Sequence, residues 1–324
     1  MRHRVRNALT TLAALVITGA GVSAYAITEY SAADADGTAA MPYAVEDFPH
    51  TLQVMSWNMC GPQRAAYHCE GTGTPQEKID VITSQVTVSR VEAVLLQEVC
   101  EDDLTLLMTK LGPGWSKTFE TYQWLNNDGT KNNSRCGEAT GRADRLGTAI
   151  VAKGQMSDAR PYPTTQPTAG QQTPFHCATA SKWGVRLCTV HATRVGANPN
   201  DPKADSRGQQ FAEIKAIVDT FPRVVFGGDF NARSPDDPKN TAAAVWPAGL
   251  YSTGPGTPGY QECDQKGTSR TGSPTHTTAA TATSPAIEAK IDYIFSDQPR
   301  NWCTVTTTTR SDHRFLIESL TVAN

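Results

Sequence analysis

Seven short apolar runs, each bounded by glycine, proline or polar residues, restrict this chain to a strand-rich architecture. They are LQVMSWN (52–58), VEAVLLQEV (91–99), GTAIVA (147–152), VRLCTVHA (185–192), RVVFGGDF (223–230), IDYIF (291–295) and FLIESLTV (315–322). Runs of this length between turn-forming residues are the mark of buried strands. Helical signals lie between them at 74–89, 102–111 and 206–221. In the first, Thr74 is placed as N-cap, Pro75 at the first helical position and Glu77 at the third, which satisfies N–H groups that a helix start leaves unpaired. Ile79, Ile82 and Val86 then share one face. Connections rich in Gly, Pro, Ser, Thr and Asn at 116–146, 154–176, 194–205 and 232–286 suit surface loops on one α/β domain. Trp115, Phe119, Tyr122 and Trp124 are expected to alternate into a core around a strand at 117–125.

The N-terminus sets the compartment. Arg2, Arg4 and Arg6 precede an apolar run from Ala8 to Ala20, followed by Ala24-Tyr25-Ala26, so residues 1–26 read as a cleaved export signal. The run contains Thr10, Thr11, Thr18 and Gly19 and is too short to span a membrane. A secreted monomer without stable membrane insertion is expected. Residues 27–48 are small, acidic and without apolar period, a flexible lead, which leaves 49–324 as the folded domain. The chain has 29 Lys plus Arg against 32 Asp plus Glu; removing three arginines with the signal takes the net charge from -3 to -6. No general basic field attracts a polyanion, so phosphate chemistry needs cations gathered at a site. Eight cysteines without a repeated C-x-x-C, in an exported chain, read as disulfides rather than zinc ligands. Chain proximity suggests Cys60 with Cys69 and Cys177 with Cys188; Cys100 with Cys136 and Cys263 with Cys303 follow by elimination.

The strand ends are polar: Asn58, Glu98, His191, Asp229 with Asn231, Asp292, and Ser311-Asp312-His313. Glu98 and Asp292 lie inside apolar runs, where a carboxylate loses its hydration unless it is paired or bound to a metal. Four carboxylates, two histidines and two asparagines at strand ends suit a hard-cation phosphoesterase. Oxygen ligands hold magnesium or calcium, imidazoles move protons, and an amide orients an oxyanion. In-line attack on a phosphodiester builds negative charge on oxygen, which a divalent ion and hydrogen-bond donors stabilise. Two rival patterns fail. Ser311, Asp312 and His313 are adjacent and cannot line up as a hydrolase triad, and no G-x-S-x-G elbow exists. The GGD at 227–229 lacks a phosphate-loop context; its glycines are expected to end the strand sharply so that Asp229 faces a cleft.

The motifs SWN, LLQEV, VHATR, GGDFNARS, KIDYIF and SDHR, in this order over 52–322, resemble the endonuclease/exonuclease/phosphatase superfamily, in the form of a secreted bacterial deoxyribonuclease-I-like member. That superfamily also includes abasic-site endonucleases, bacterial sphingomyelinases and inositol-polyphosphate phosphatases. The resemblance implies a four-layer α/β (α+β) sandwich, two packed mixed sheets flanked by helices. It implies a metal at Glu98, with Asn58 beside it and Asp312 helping; the ion is Mg2+ (magnesium), or Ca2+ or Mn2+. Asp229 would orient or deprotonate water, Asn231 would hold a phosphate oxygen, and His313, positioned by Asp292, would bind or protonate one. His191 matches the second histidine of the nuclease and sphingomyelinase branches, where abasic-site enzymes place a tyrosine. Deoxyribonucleases pair that histidine with a glutamate; Glu120 and Glu138 are both candidates here. Arg207 and Gln210 match a common family spacing, which a helix start packed on a sheet also explains. The polar loop 126–146, with Arg135, matches a region near the DNA minor groove.

The expected activity is therefore that of a metal-dependent phosphodiesterase, an endonuclease acting on DNA or RNA. A sphingomyelinase would need an exposed aromatic device for the lipid interface, and no loop concentrates Trp and Phe. An inositol or sugar phosphate phosphatase would need a basic pocket, for which Arg194, Lys203, Arg207 and Arg233 are available. A non-catalytic binding or toxin subunit on the same fold is the alternative of another class; the presence of every position the mechanism needs weighs against it.

Overall fold

The apolar runs form strands that the structure, a computed structural model, gathers into two large sheets. It describes residues 50–62, 69–137, 142–254, 257–280 and 285–323. The expected export signal, the lead at 27–48 and Glu138 lie outside the described residues. In chain order the first elements are β1 (His50–Asn58), α1 (Pro75–Val88), β2 (Ala93–Cys100), α2 (Glu101–Leu111), β3 (Trp115–Thr121), β4 (Gln123–Leu125), β5 (Lys131–Asn133), β6 (Arg135–Gly137) and β7 (Arg142–Lys153). Then come β8 (Met156–Tyr162), β9 (Gly170–Gln172), β10 (Phe175–Ala180), β11 (Val185–His191), α3 (Arg207–Val218) and β12 (Val224–Asp229). The last are β13 (Gln261–Glu262), β14 (His276–Thr278), β15 (Ile287–Ala289), β16 (Asp292–Ser296), β17 (Arg300–Thr306) and β18 (Phe315–Val322).

A seven-stranded sheet runs β17-β18-β1-β2-β7-β3, with β6 also on β7; a six-stranded sheet runs β13-β16-β12-β11-β10-β8. Both are antiparallel except at one central pair, where β1 lies parallel to β2 and β11 parallel to β12. A parallel neighbour requires a crossover. α1 supplies it in the first sheet and α3 in the second.

Alternation along the strands builds the layers. Leu52, Val54, Leu95 and Ile150 of the first sheet pack against Ala178, Leu187, Val225 and Ile294 of the second. Met55, Trp57, Val94 and Leu96 point the other way, onto Ile79, Ile82, Leu104 and Leu107 of α1 and α2. On the far side Val190 and Phe226 meet Phe211, Ile214 and Val218 of α3. The result is the four-layer α/β sandwich that the resemblance implies. Because both faces of each sheet are covered, the strands read as near-continuous apolar runs.

α1 starts as its sequence predicts: Thr74 caps the Glu77 N–H, and the Glu77 carboxylate accepts the Thr74 N–H at 2.8 Å. Disulfides join Cys60–Cys69, Cys100–Cys136, Cys177–Cys188 and Cys263–Cys303. The last ties β17 of the first sheet to the end of β13 in the second. Among the described residues no helix is long and apolar enough to cross a membrane.

The four aromatics at 115–124 do not share one core. The strand breaks at Tyr122, whose N–H donates to Leu146 O and whose carbonyl accepts the Ser134 N–H. The chain there leaves the first sheet for a small sheet ordered β5-β4-β9. Tyr122 is fully buried, whereas Trp124 is 44% exposed.

Candidate active site

The carboxyl ends of both parallel pairs meet at one cleft, the place where such sheets offer side chains to ligands. β1 ends at Asn58, β11 at His191 and β12 at Asp229. Strand register sets His191, Asp229 and Asp292 abreast on β11, β12 and β16. The first sheet answers through Asn58, whose Nδ2 donates to Asp229 Oδ2 at 3.2 Å and lies 3.5 Å from His313 Nε2. Asn58 Oδ1 accepts the Cys60 N–H at 3.1 Å, which fixes the amide's orientation.

Gly228 sits where β12 passes close to its neighbour β11. A Cβ there would lie 1.8 Å from Val190 O, and its φ is +147°. The glycine therefore serves the close approach of β12 to β11, one residue before the strand ends at Asp229, which lines the cleft.

His313 Nδ1 lies 2.9 Å from Asp292 Oδ2, and its Nε2 lies 3.7 Å from Asp229 Oδ2. Burial alone would lower its pKa, but the carboxylates of Asp292, Asp229 and Asp312 outweigh burial and push it up to about 10. The imidazole is thus cationic at neutral pH. Asp229 is pushed up to about 6, by burial first and by Asp292 second. Its Oδ1 accepts the Asn231 N–H at 2.7 Å, and Asn231 Nδ2 donates to Ala192 O at 2.9 Å.

Glu98 reaches the cleft through a bulge in β2, where the register with β7 shifts between Leu96 and Val99 and the Glu98 φ is +50°. Bulges re-aim side chains in this way. Burial, then Asp312 and Asp229, push its carboxyl up to about 8 against the pull of His313. Glu98, Asp229, Asp292 and Asp312 together carry more negative charge than His313 offsets. Oxygen donors in charge excess suit a hard divalent cation, which Glu98, Asp312 and Asn58 could hold. The sulfurs of Cys60 and Cys69, beside Glu98, are bonded to each other and offer no thiolate.

The partner of His191 is Tyr122. Its hydroxyl lies 2.6 Å from His191 Nδ1 and accepts the Glu98 N–H at 3.2 Å. Glu120, on β3, makes no hydrogen bond to His191, and Glu138 lies outside the described residues. Burial, reinforced by the charge on His313, pushes His191 down to about 3, so it is neutral. Its Nε2 faces the cleft, 3.7 Å from Asp229 Oδ2 and 3.9 Å from Glu98 Oε1.

Two further groups carry no sequence signal of their own. His276 Nε2 lies 3.2 Å from Asp312 Oδ2, and its ring centroid is 4.6 Å from that of His313. Burial raises the Asp312 pKa, but the His276 hydrogen bond and the His313 charge outweigh it and hold the carboxyl below its ordinary value. Beneath the site, the Lys78 Nζ donates to Met59 O, Cys60 O and Thr72 Oγ1 at 2.8, 2.6 and 2.8 Å. Burial lowers this ammonium to about 8.

Arg207 is not among the residues that line the cleft. It is buried, pairs with Asp205 at 2.7 Å and donates to Asn231 O at 2.5 Å, so its guanidinium braces the loop after β12. Gln210 holds both Thr193 N and Thr193 Oγ1. Arg135 does line the cleft, a cavity of about 700 Å³, together with Glu98, His191, Asp229, Asn231 and His313.

A family model described as "Endonuclease/Exonuclease/phosphatase family" matches residues 55–313. No curated protein matches the sequence. Among solved structures, a D. rerio TDP2 humanized by 14 mutations superposes with a TM-score of 0.53 at 17% identity, covering 83% of this chain and 98% of its own. D. rerio TDP2 complexed with a single-strand DNA product gives the same values, 0.53, 17%, 83% and 98%. An endonuclease/exonuclease/phosphatase family protein from Leptotrichia buccalis gives a TM-score of 0.54 at 13% identity, covering 82% and 98%. These likenesses are likenesses of fold.

Proposed function

The chain belongs to the endonuclease/exonuclease/phosphatase family, whose members hydrolyse phosphate esters, and from that membership we propose that it is a secreted, divalent-cation-dependent nuclease. The observation that carries this reading is the convergence of His191, Asp229 and Asp292 from one sheet with Asn58 and Glu98 from the other, closed by His313. Asp229, with a pKa near 6, orients the attacking water and takes its proton. Cationic His313, held by Asp292, binds a non-bridging phosphate oxygen, and Asn231 binds another. Neutral His191 offers Nε2 to the phosphate or to the leaving oxygen. Glu98, Asp312 and Asn58 would hold the cation, which would supply Lewis-acid stabilisation of the charge that develops on phosphate. The ion is magnesium, or calcium or manganese.

Nucleic acid as substrate is supported by the arginines and amides on the cleft wall, Arg135, Arg194, Asn133 and Gln171, and by the DNA product bound to the D. rerio fold relative. Residues 1–26 serve as export signal and 27–48 as lead, with 49–324 as the catalytic domain; four disulfides suit an oxidising compartment. The protein acts as a monomer. The test is a panel of plasmid DNA, single-stranded DNA, RNA, sphingomyelin and inositol phosphates, each with magnesium, calcium, manganese or chelator. Nucleic-acid cleavage lost in chelator is expected; hydrolysis of only the lipid or the inositol phosphates would overturn the nuclease reading.

A further inference from the structure

We propose that Trp124 and Arg194 form a subsite for an unpaired nucleobase and its phosphate beside the reactive centre, so that single-stranded nucleic acid is preferred over duplex. The proposal rests on the nuclease reading above. Trp124 occupies the central strand of the β5-β4-β9 sheet, directly opposite Asn132 on one side and Gln171 on the other. Residues opposed in this way share a face, so the indole stands between two amides. It is 44% exposed and lines the same cavity as Glu98, His191, Asp229 and His313. It also follows Tyr122 by two residues, about 7 Å along an extended chain, and the Tyr122 hydroxyl touches His191. An exposed aromatic face thus lies one step from the catalytic row.

Arg194, three residues past His191, lines this cavity too, and its guanidinium makes no hydrogen bond or ion pair among the described residues. An exposed indole flanked by amides, with an unengaged cation nearby, matches what a nucleotide presents: a flat π-face, base edges and an anionic phosphate. In a duplex each base face is covered by its neighbours, and exposing one costs unstacking energy. The platform therefore favours strands whose bases are already free. Inositol phosphates have no planar ring to stack on it.

The test compares wild type, Trp124→Ala and Trp124→Phe on a short single-stranded oligonucleotide, its duplex, and versions abasic at either nucleotide flanking the scissile phosphate. With Trp124→Ala, kcat/KM on the base-bearing single strand should fall roughly 5- to 150-fold, the range one base–aromatic stack supplies, while Trp124→Phe keeps most of it. The loss should shrink severalfold on the abasic strand, and the preference for single strand over duplex should shrink with it. Arg194→Gln should flatten the salt dependence of binding by about one phosphate contact. Equal losses on abasic and base-bearing strands, or no loss, would overturn the platform while leaving the nuclease reading standing. Failure of wild type to cleave any oligonucleotide would overturn both.

Discussion

The Tyr122 hydroxyl lies 2.6 Å from His191 Nδ1 and 3.2 Å from the Glu98 nitrogen, so one buried phenol braces the neutral histidine of the second sheet and the bulged glutamate of the first. Deleting that oxygen with Tyr122→Phe keeps the ring and its edge-on packing, 5.4 Å between centroids. The His191 ring is then free to turn, and small misplacements of a catalytic group cost about 10²-fold. A fall of that order in kcat, with KM little changed, is the expected outcome in steady-state kinetics. Stability should drop by about 1–3 kcal/mol, since buried polar groups lose a partner. A variant with unaltered kcat contradicts the bracing role.

The Asp292–His313 pair sets the charge at the centre. The neighbouring carboxylates raise His313 from its ordinary value of 6.5 to about 10. Its contribution to stability is thus fully present below pH 6.5 and is lost as pH rises through 10. Asp292→Asn removes the nearest carboxylate, so the imidazole should titrate at lower pH, and activity at neutral pH should fall by about 10²–10⁴. NMR titration of the His313 ring reads the first effect directly. An unchanged titration would contradict the pairing.

Glu98 and Asp229 shift the other way for carboxylates, up to about 8 and about 6. Between their ordinary values and these, the folded protein holds protons that the unfolded chain has released, so stability in chelator should fall as pH rises from about 4.5 to 8. A divalent cation must displace the Glu98 proton. Its binding should release protons and tighten as pH rises toward about 8. Calorimetry in two buffers of different ionisation enthalpy measures this; binding that weakens as pH rises would contradict a carboxylate-held ion.

Two disulfides should separate stability from activity. Cys263–Cys303 joins the two sheets across 40 residues, and replacing both cysteines with serine should cost about 2–4 kcal/mol with little change in kcat for the folded fraction. Cys60–Cys69 closes only 9 residues, yet the Cys60 N–H orients Asn58 and the Cys60 carbonyl accepts from Lys78. Its removal should lower activity more than stability. Denaturant melts paired with kinetics distinguish the two variants.

Much of the architecture was legible because each buried strand is a continuous apolar run stopped by a polar residue. Asn58, Glu98, His191, Asp229 and Asp292 stand out against such runs for the same physical reason: burial makes a polar group conspicuous. Tyr122 was not legible as part of the site, since its partner lies 69 residues away and its aromatic ring matches the core pattern around it. Trp124 follows the same alternation in the sequence, and the break at Tyr122 that takes it out of the core depends on hydrogen bonds to Leu146 and Ser134, which no local pattern encodes. His276 sits in a Thr-rich stretch without apolar period and gains meaning only from its approach to Asp312. Arg207 carried a spacing signal, but the Asp205 beside it takes up its charge.

The most direct measurement is hydrolysis of a single-stranded oligonucleotide by wild type and by Asp229→Asn, in magnesium and in chelator. Cleavage by wild type that disappears in chelator, and that falls by about 10²–10⁴ in the variant, is the predicted result. Wild-type cleavage that persists equally in chelator and in Asp229→Asn would contradict a cation-dependent site built on Asp229.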